Sequence, residues 1–260
     1  MTLSTLSRSI AGSVAIVTGA ASGMGRATAH LFADEKARVA CVDINAEPLA
    51  DVVDEINGDG GEATAYVADL SDGNSIKQVI ADIAGDFGGI DIVVNNAGIG
   101  ASAPIDSEEG EFEPVWDRAI SILLTAHVRI VRAALPHLRQ AQHPRIVNIA
   151  STEGWGASPG GSPYTAAKTG VIGLTRSLAV ELGREAITVN CICPGPIRTG
   201  MTQNIAEEHK TIFAKRRTAL RRYAEPEEVA HGTLSLVLPA AQYITGVALP
   251  VDGGLTIRNA

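Results

Sequence analysis

The amino-acid sequence predicts an α/β fold in which helices cover both faces of one parallel sheet. Short runs rich in valine and isoleucine alternate with longer helical patterns along the 260 residues. Several of these runs are apolar at every position, which is typical of parallel strands covered on both faces. Strict alternation of strand and helix implies right-handed crossovers and a doubly wound sheet. No repeat or linker divides the chain, so we expect a single domain over residues 1–260.

The elements follow in order along the chain. Strands are expected at Val14–Thr18, Arg38–Asp43, Ala63–Asp69, Ile90–Asn95, Arg145–Ser151, Ile187–Cys193 and Val247–Val251. Helices are expected at 24–35, 46–57, 73–87, 114–139, 164–184 and 226–238. Pro114, Pro163 and Pro226 fall at or just before helix starts, where a missing N–H costs little. Residues 197–223 form a long insertion after the sixth strand, where we expect a substrate lid.

Composition argues against several classes of protein. The net charge of −8 disfavours a nucleic-acid partner, which normally needs a basic face. No apolar stretch approaches the length expected of a membrane span, and residues 1–12 lack the apolar core of a signal peptide. We therefore expect a cytoplasmic protein without a membrane partner.

Cys191 and Cys193 share one face of a strand, but no histidine clusters near them, so we expect buried apolar thiols rather than a metal site.

A glycine-rich turn separates the first strand from the first helix. Gly19, Gly23 and Gly25 allow a tight turn and let phosphate oxygens approach the backbone, and the helix N-terminus favours their negative charge. A glycine-rich turn alone is a weak signal, whereas one in this position is much stronger. The turn therefore predicts a dinucleotide site.

Asp43 ends the second strand, eighteen residues after Gly25. A carboxylate there can accept hydrogen bonds from both hydroxyls of an adenosine ribose, and it repels a 2′-phosphate. Positions 21, 22, 44 and 45 carry no lysine or arginine, so we expect NAD rather than NADP. A helix N-cap is the alternative role for Asp43.

Ser151, Tyr164 and Lys168 form a candidate catalytic set. Lys168 lies one helical turn after Tyr164, so both side chains share a face. We expect the lysine charge to favour the phenolate and to lower the tyrosine pKa, which fits a general acid/base. Ser151 offers a hydroxyl that can hold a substrate oxygen. A chance pairing on an exposed helix is the alternative.

These motifs together resemble the short-chain dehydrogenase/reductase family. The resemblance rests on Gly19-x3-Gly23-x-Gly25, Asn95-Asn-Ala-Gly98, Ser151, Tyr164-x3-Lys168 and Pro194-Gly195, and it covers essentially the whole chain. It implies a Rossmann-type domain with strand order 3-2-1-4-5-6-7, usually a homotetramer. It also implies that Tyr164 is the acid/base, that Lys168 tunes it and binds the nicotinamide ribose, and that Ser151 positions the substrate. The implied cofactor-binding residues are Gly19, Ser22, Gly23, Met24, Gly25, Asp43, Asp69, Leu70, Asn95, Ala97, Gly98, Tyr164, Lys168, Pro194, Gly195, Ile197 and Thr199.

One position departs from the family pattern. Family members usually carry an asparagine seven residues after a tryptophan such as Trp116, and this chain has Leu123. In similar enzymes the helix is kinked there, and its main-chain carbonyl holds a water that passes protons to the lysine. Leucine keeps the carbonyl but lacks the amide that steadies the kink, so we expect an altered proton relay.

Three functions follow as hypotheses. The first is an NAD-dependent oxidoreductase that interconverts a secondary alcohol and a ketone. The second is a 3-oxoacyl-[acyl-carrier-protein] reductase, and the third is a nucleotide-bound protein with weakened turnover.

The residues expected to face a mainly apolar substrate are Trp155, Ala157, Pro159, Met201, Ile205 and Phe213. The basic cluster 210–222 suggests an anionic substrate or an acidic carrier protein, or, as we prefer, a solvated helix face balanced by glutamates. Surplus apolar positions on the helices 114–139 and 164–184 suggest contact with a second subunit.

Overall fold

One parallel sheet forms the centre of the computed structural model, which describes residues 5–259. Its strand order is β3-β2-β1-β4-β5-β6-β7, and every neighbouring pair is parallel. The strands are β1 Val14–Thr18, β2 Arg38–Asp43, β3 Glu62–Val67, β4 Ile92–Asn95, β5 Arg145–Ile149, β6 Thr188–Pro194 and β7 Ala248–Val251. The predicted doubly wound, Rossmann-type architecture is confirmed, and strand ends differ from expectation by at most two residues.

Helices cover both faces of the sheet. They are α1 Gly23–Asp34, α2 Ala46–Gly58, α3 Gly73–Phe87, α4 Glu109–Ile120, α5 Ala126–Leu138, α6 Ser162–Leu182, α7 Glu207–Arg217 and α8 Pro226–Val237. A π-helical turn, Ser121–Thr125, joins α4 to α5 without a break. Successive strand residues point to opposite faces, so the sheet separates two apolar layers. Phe32, Leu49 and Val229 belong to one layer, and Ile76 and Ile130 belong to the other.

The helix predicted at 114–139 begins five residues earlier than expected, at Glu109. Pro114 was predicted at or before the helix start, and this was wrong because Pro114 lies inside α4. Its ring removes one backbone hydrogen bond, but Glu109 and Glu111 in the first turn favour a helix start at the positive end of the helix dipole. Pro163 and Pro226 lie in the first turns of α6 and α8, as expected.

The expected lid contains a helix that the sequence did not predict. Within 197–223, the structure has a short 3-10 turn at Gly200–Thr202 and then α7. Ile197 forms a parallel bridge with Ala224, so the two ends of the insertion are held together. The insertion is therefore anchored at both ends.

The continuous helix Glu109–Leu138 corrects an expectation about membranes. An 18-residue window within it has a mean hydropathy of 1.4, so by length and composition alone it meets the criteria for a span. The statement that no apolar stretch approaches that length was therefore wrong. In the structure, Ala126, Ile130 and Leu138 of this helix pack into the layer formed by α3 and the sheet, which accounts for its apolar composition.

Gly25 is the residue at which α1 approaches the first turn most closely. An added Cβ atom would lie 2.0 Å from the carbonyl oxygen of Gly19. We expect Gly25→Ala to lower the free energy of unfolding by about 1–3 kcal/mol, as overpacking does. Chemical denaturation measures this. The control is Gly85→Ala in α3, where a Cβ meets nothing within 4 Å and where we expect stabilisation of roughly 0.5–1 kcal/mol. Equal stability of the two variants would contradict the assigned packing role.

Candidate active site

A cleft of about 580 Å³ opens at the carboxyl edge of the sheet. Its size and its place outside the strand ends are those of a ligand site in a doubly wound fold. Most residues expected from the sequence line it: Gly19, Ser22, Gly23, Met24, Asp43, Asp69, Leu70, Ala97, Gly98, Tyr164, Lys168 and Thr199. The structure thus brings together residues from six separate parts of the chain.

The glycine-rich turn has the geometry of a phosphate cradle. Gly19 and Gly23 have φ values of +68° and +54°, in the left-handed region that favours glycine. Ser22 makes no capping hydrogen bond with its side chain, so the first N–H groups of α1 are available to an anion. Gly25 does not line the cleft and packs closely against Gly19, and its expected contact with the cofactor remains a prediction.

The Asp43 carboxylate is held in the cleft by neutral donors. Oδ2 accepts from the Ala21 N–H at 3.1 Å, and Oδ1 accepts from the backbone and side-chain nitrogens of Asn45, both at 3.0 Å. A carboxylate has about four acceptor positions, so three donors leave one for a ligand, and rotation of Asn45 would release another. The alternative role as an N-cap is excluded, because the N-cap of α2 is Asn45.

Asp69 also lines the cleft, and a positively charged side chain that the sequence did not single out, Arg118, acts on it. Hydrogen bonds from the backbone and side chain of Ser71 lower the pKa of Asp69, and the nearby charge of Arg118 adds to this. Arg118, on α4, also lines the cleft. It was missed because its position on the helix has no recognisable motif.

Asn95 lies behind the lining of the cleft, and its neighbour Asn96 belongs to that lining. Asn95 is fully buried, and its Nδ2 donates to Oδ1 of Asn148 at 2.9 Å. Asn96 lines the cleft instead and donates from Nδ2 to the Thr18 carbonyl at 2.8 Å. Strand residues alternate between faces, so Asn96 faces the cleft and Asn95 does not. The expected contact of Asn95 with the adenosine side remains a prediction.

The segment after β6 reaches the cleft only at its far end. Pro194 ends β6, and Gly195 packs against Asp252, where an added Cβ would lie 2.7 Å from its Cα. Ile197 is buried and lines a neighbouring cleft of about 450 Å³ rather than this one. Thr199 does line the site, beside Gly23. The contacts expected of Pro194, Gly195 and Ile197 remain predictions.

Tyr164 and Lys168 line the inner end of the cleft, and Ser151 lies just behind this lining, against Tyr164. The Ser151 hydroxyl is hydrogen-bonded to the Tyr164 side chain, and its oxygen also accepts from the Glu153 N–H at 3.1 Å. The Lys168 ammonium lies 5.7 Å from the centre of the Tyr164 ring and donates to the Ile149 carbonyl at 2.7 Å. Burial lowers the pKa of Lys168 to about 8. The expected set is thus assembled around the end of β5.

The expected effect of Lys168 on Tyr164 is not found in the protein alone. Burial raises the pKa of Tyr164, the Glu153 carboxylate raises it further, and the hydrogen bond with Ser151 acts in the opposite direction. The prediction of a lowered tyrosine pKa was wrong for this state. The physical reason is that the loss of hydration on burying a phenolate raises the pKa more than the neighbouring groups lower it.

Leu123 lies within the π-helical turn and is fully buried. It packs with Ala119, Ala167 and Tyr164, and its Cδ2 would lie 3.4 Å from a Cβ added at Gly98. The irregular turn is therefore present without the asparagine amide. Backbone N–H of Ala126 donates to the Ser121 carbonyl, five residues earlier, which is the bond that defines a π turn.

Most of the expected substrate-facing residues lie outside the cleft lining. Met201 lines the cleft, whereas Trp155, Ile205 and Phe213 do not line it and are exposed large apolar side chains, the first two on loops and Phe213 on α7. Ala157 and Pro159 are exposed on the loop before α6. Their role as substrate contacts remains a prediction.

Two members of the basic cluster are paired with glutamates. Lys210 is buried and contacts Glu207 at 2.8 Å, and Arg222 contacts Glu228 at 2.6 Å. These pairs favour the interpretation of a balanced helix face over an anion-binding patch.

Cys191 and Cys193 are buried in one apolar cluster, and within residues 5–259 no group of three histidine, cysteine or acidic side chains is arranged to bind a metal.

The fold and this site together define a dinucleotide-binding protein with a Ser-Tyr-Lys set at the inner end of its cleft. A family model described as enoyl-(acyl carrier protein) reductase matches residues 19–256. A 3-oxoacyl-[acyl-carrier-protein] reductase of Thermotoga maritima is 38% identical over 246 residues, covering 95% of this chain and 98% of that protein. D-threitol dehydrogenase of Mycolicibacterium smegmatis is 35% identical, covering 95% and 94%.

A solved structure agrees with these relatives. A dehydrogenase/reductase from Sinorhizobium meliloti superposes with a TM-score of 0.88 at 36% identity, covering 98% of each chain. The chain belongs to the short-chain dehydrogenase/reductase family, whose members are oxidoreductases that use nicotinamide cofactors.

The charge of Glu153 provides a test of the site's electrostatics. Because its carboxylate raises the pKa of Tyr164, we expect Glu153→Gln to lower that pKa, so that tyrosinate forms at lower pH. Absorbance titration of each protein, with the matching Tyr164→Phe protein subtracted, isolates the signal. The control is Glu181→Gln, at an exposed position on α6, the helix that carries Tyr164. An unchanged Tyr164 titration in Glu153→Gln would show that the carboxylate does not act on the phenol.

Proposed function

We propose that this protein is an NAD(H)-dependent oxidoreductase that interconverts a secondary alcohol and a ketone. The observation that carries the proposal is the meeting of Ser151, Tyr164 and Lys168 at the inner end of a cleft whose outer part contains Asp43. The glycine cradle, the uncapped N-terminus of α1 and the Asp43 carboxylate fit a dinucleotide. A bound nicotinamide supplies or accepts the hydride.

The side chains have distinct roles in this proposal. Ser151 holds the substrate oxygen by a hydrogen bond, and the Tyr164 hydroxyl gives a proton to that oxygen during reduction and takes one during oxidation. Lys168 stabilises the phenolate that Tyr164 becomes after giving up its proton. Because its ammonium is fixed to Ile149, this stabilisation requires no rearrangement at the moment of reaction.

The preference for NAD rests on the charges around Asp43. Within the described residues that line the cleft, the cationic side chains are Lys168 and Arg118. Lys168 lies at the catalytic end and Arg118 acts on Asp69. Ile44 and Asn45 beside Asp43 are neutral, so a 2′-phosphate would meet a carboxylate without a compensating cation.

A 3-oxoacyl-[acyl-carrier-protein] reductase is the second candidate. The relative from Thermotoga maritima bears that name at 38% identity, and the exposed Trp155, Ile205 and Phe213 offer apolar contacts for an acyl chain. The glutamate pairing of Lys210 and Arg222 argues against it, because fewer cations remain for an acidic carrier protein. The third candidate, a nucleotide-bound protein with weak turnover, is motivated by Leu123.

We extend the proposal to assembly and location. Val180 on α6 is 83% exposed and Ile172 and Leu182 on the same helix are buried, so α6 has apolar side chains on more than its inner face. We propose a cytoplasmic homotetramer that uses this outer face for subunit contact, with a small alcohol or ketone as its partner and no nucleic acid or membrane.

Removal of the Tyr164 hydroxyl tests the mechanism. With a panel of secondary alcohols and ketones monitored by NADH absorbance, we expect Tyr164→Phe to lower kcat by about 10²–10⁴-fold, the usual contribution of general acid/base catalysis. Tyr243→Phe removes the same group at a fully exposed position and is the control. Undiminished turnover in Tyr164→Phe would eliminate the mechanism, and a full rate in the unmodified protein would eliminate the weak-turnover candidate.

Cofactor preference separates the first two candidates. We expect the unmodified protein to bind NADH more tightly than NADPH in fluorescence titrations. The double variant Asp43→Ser/Ile44→Arg should gain roughly tenfold or more in NADPH affinity, since a charge-assisted hydrogen bond contributes about 1.5–3 kcal/mol. Asp43→Ser/Ile44→Gln is the control for side-chain length. A preference for NADPH in the unmodified protein would overturn the NAD proposal and favour the acyl-carrier candidate.

A further inference from the structure

A 3-10 turn follows β5 and begins at the catalytic serine. The turn is Thr152–Gly154, and Ser151 is its N-cap. The Ser151 oxygen accepts a hydrogen bond from the Glu153 N–H at 3.1 Å. This bond uses one acceptor position of the hydroxyl and leaves its proton free to point at Tyr164 or at a substrate oxygen. The position of the serine hydroxyl therefore depends on where the turn places residue 153.

Two threonines on α6 hold this turn. The Thr165 hydroxyl donates to Oε2 of Glu153 at 3.4 Å. The Thr169 hydroxyl donates to the Gly154 carbonyl at 3.2 Å. The two threonines lie four residues apart and so share one face of the helix. Each directly follows one member of the Tyr-Lys pair, so α6 carries the proton-handling side chains and the supports of the serine turn in adjacent rows.

Glu153 also contacts the loop before α6, residues 155–161. Its Oε1 accepts from the Ser158 hydroxyl at 2.9 Å. Farther along the loop, the Gly160 carbonyl accepts from the Ala103 N–H at 2.8 Å. The loop contains three of the side chains expected from the sequence to face the substrate. The Glu153 carboxylate is therefore the point at which this loop, α6 and the serine turn are joined.

A carboxylate suits this position because both of its side-chain partners are hydroxyl donors. Hydrogen bonds to an ionised acceptor are roughly twice as strong as those between neutral groups. Glu153 is half-buried, so water competes only in part for these bonds. Glutamine can keep both bonds without the charge, because its oxygen accepts and a hydroxyl can accept from its NH₂ group. Leucine can keep neither.

We propose that Glu153 is a positioning residue that couples the order of the loop 155–161 to the alignment of Ser151. A substrate that packs against the loop would then also fix the serine hydroxyl through the carboxylate. The effect on turnover rests on the proposed function, whereas the effect on the loop does not.

Trp155 reports the order of the loop without any substrate. The chain has two tryptophans, so Trp116→Phe leaves Trp155 as the only one. In this background we expect Glu153→Leu to raise acrylamide quenching of Trp155 by up to about twofold, because the side chain is 44% exposed when the loop is ordered. Glu153→Gln should stay close to the parent. Glu181→Leu, at an exposed position on α6, is the control.

The opposite results are equally clear. Unchanged Trp155 quenching in Glu153→Leu, or a Glu153→Gln protein that behaves like the leucine variant, would overturn the proposal. Thermal melting separates a loosened loop from an unfolded protein. If the leucine variant does not fold, Ser158→Ala and Thr165→Val provide the same test, since each removes one bond and keeps the carboxylate. Unchanged quenching in both of these variants would also overturn the proposal.

Turnover measures the coupling to the serine. With each variant at its own pH optimum, we expect Glu153→Leu to lower kcat by about tenfold, because a misplacement of 1 Å at a catalytic group can cost about 10²-fold. Glu153→Gln should recover most of kcat. A rise in KM with kcat unchanged would show that the loop acts on substrate binding alone, which would overturn the coupling to Ser151.

The two kinds of measurement separate this inference from the proposed function. If the loop loosens as expected but the unmodified protein turns over no alcohol or ketone, the proposed function fails and the contact of Glu153 with the loop stands. If the unmodified protein is active and Glu153→Leu changes neither quenching nor kcat, the positioning role fails and the proposed function stands.

Discussion

The burial of the Lys168 ammonium is the constraint on which the geometry of the site depends. A buried positive charge is tolerated only where polar atoms surround it, and the Ile149 carbonyl supplies the nearest one at 2.7 Å. That bond ties α6 to the end of β5. Tyr164 lies one turn earlier on α6, and Ser151 lies two residues beyond Ile149. This hydrogen bond therefore links the two parts of the chain that carry the three catalytic candidates.

The same burial determines how the pair of ionisable groups behaves. Burial lowers the pKa of Lys168 to about 8 and raises that of Tyr164 above its ordinary value. In the protein alone the proton is therefore held more firmly by tyrosine than by lysine. The two groups interact, so each titration depends on the state of the other. Groups that stabilise the ammonium thus favour the phenolate indirectly, and Glu153 opposes it.

The sequence predicted the sheet well because its signal is local and strong. Each buried parallel strand is a short apolar run, and strand order followed from the family resemblance. The glycine turn, Asp43 and the catalytic set were likewise found through spacing. What the sequence missed depends on packing: the start of α4 before Pro114, the helix α7, and the place of Asn96 in the cleft lining. Arg118 has no motif, and only the fold brings it to the site.

The π turn is present in this chain although leucine occupies the position at which the family pattern has an asparagine. Leu123 fills a closed apolar cluster with Ala119 and Ala167, so packing can stabilise the turn where other members of the family use an amide. Packing does not supply polar atoms, however, and the buried Lys168 still needs them. Leucine therefore accounts for the irregular backbone, whereas polar atoms for Lys168 come from another element, the carbonyl of Ile149 at the end of β5.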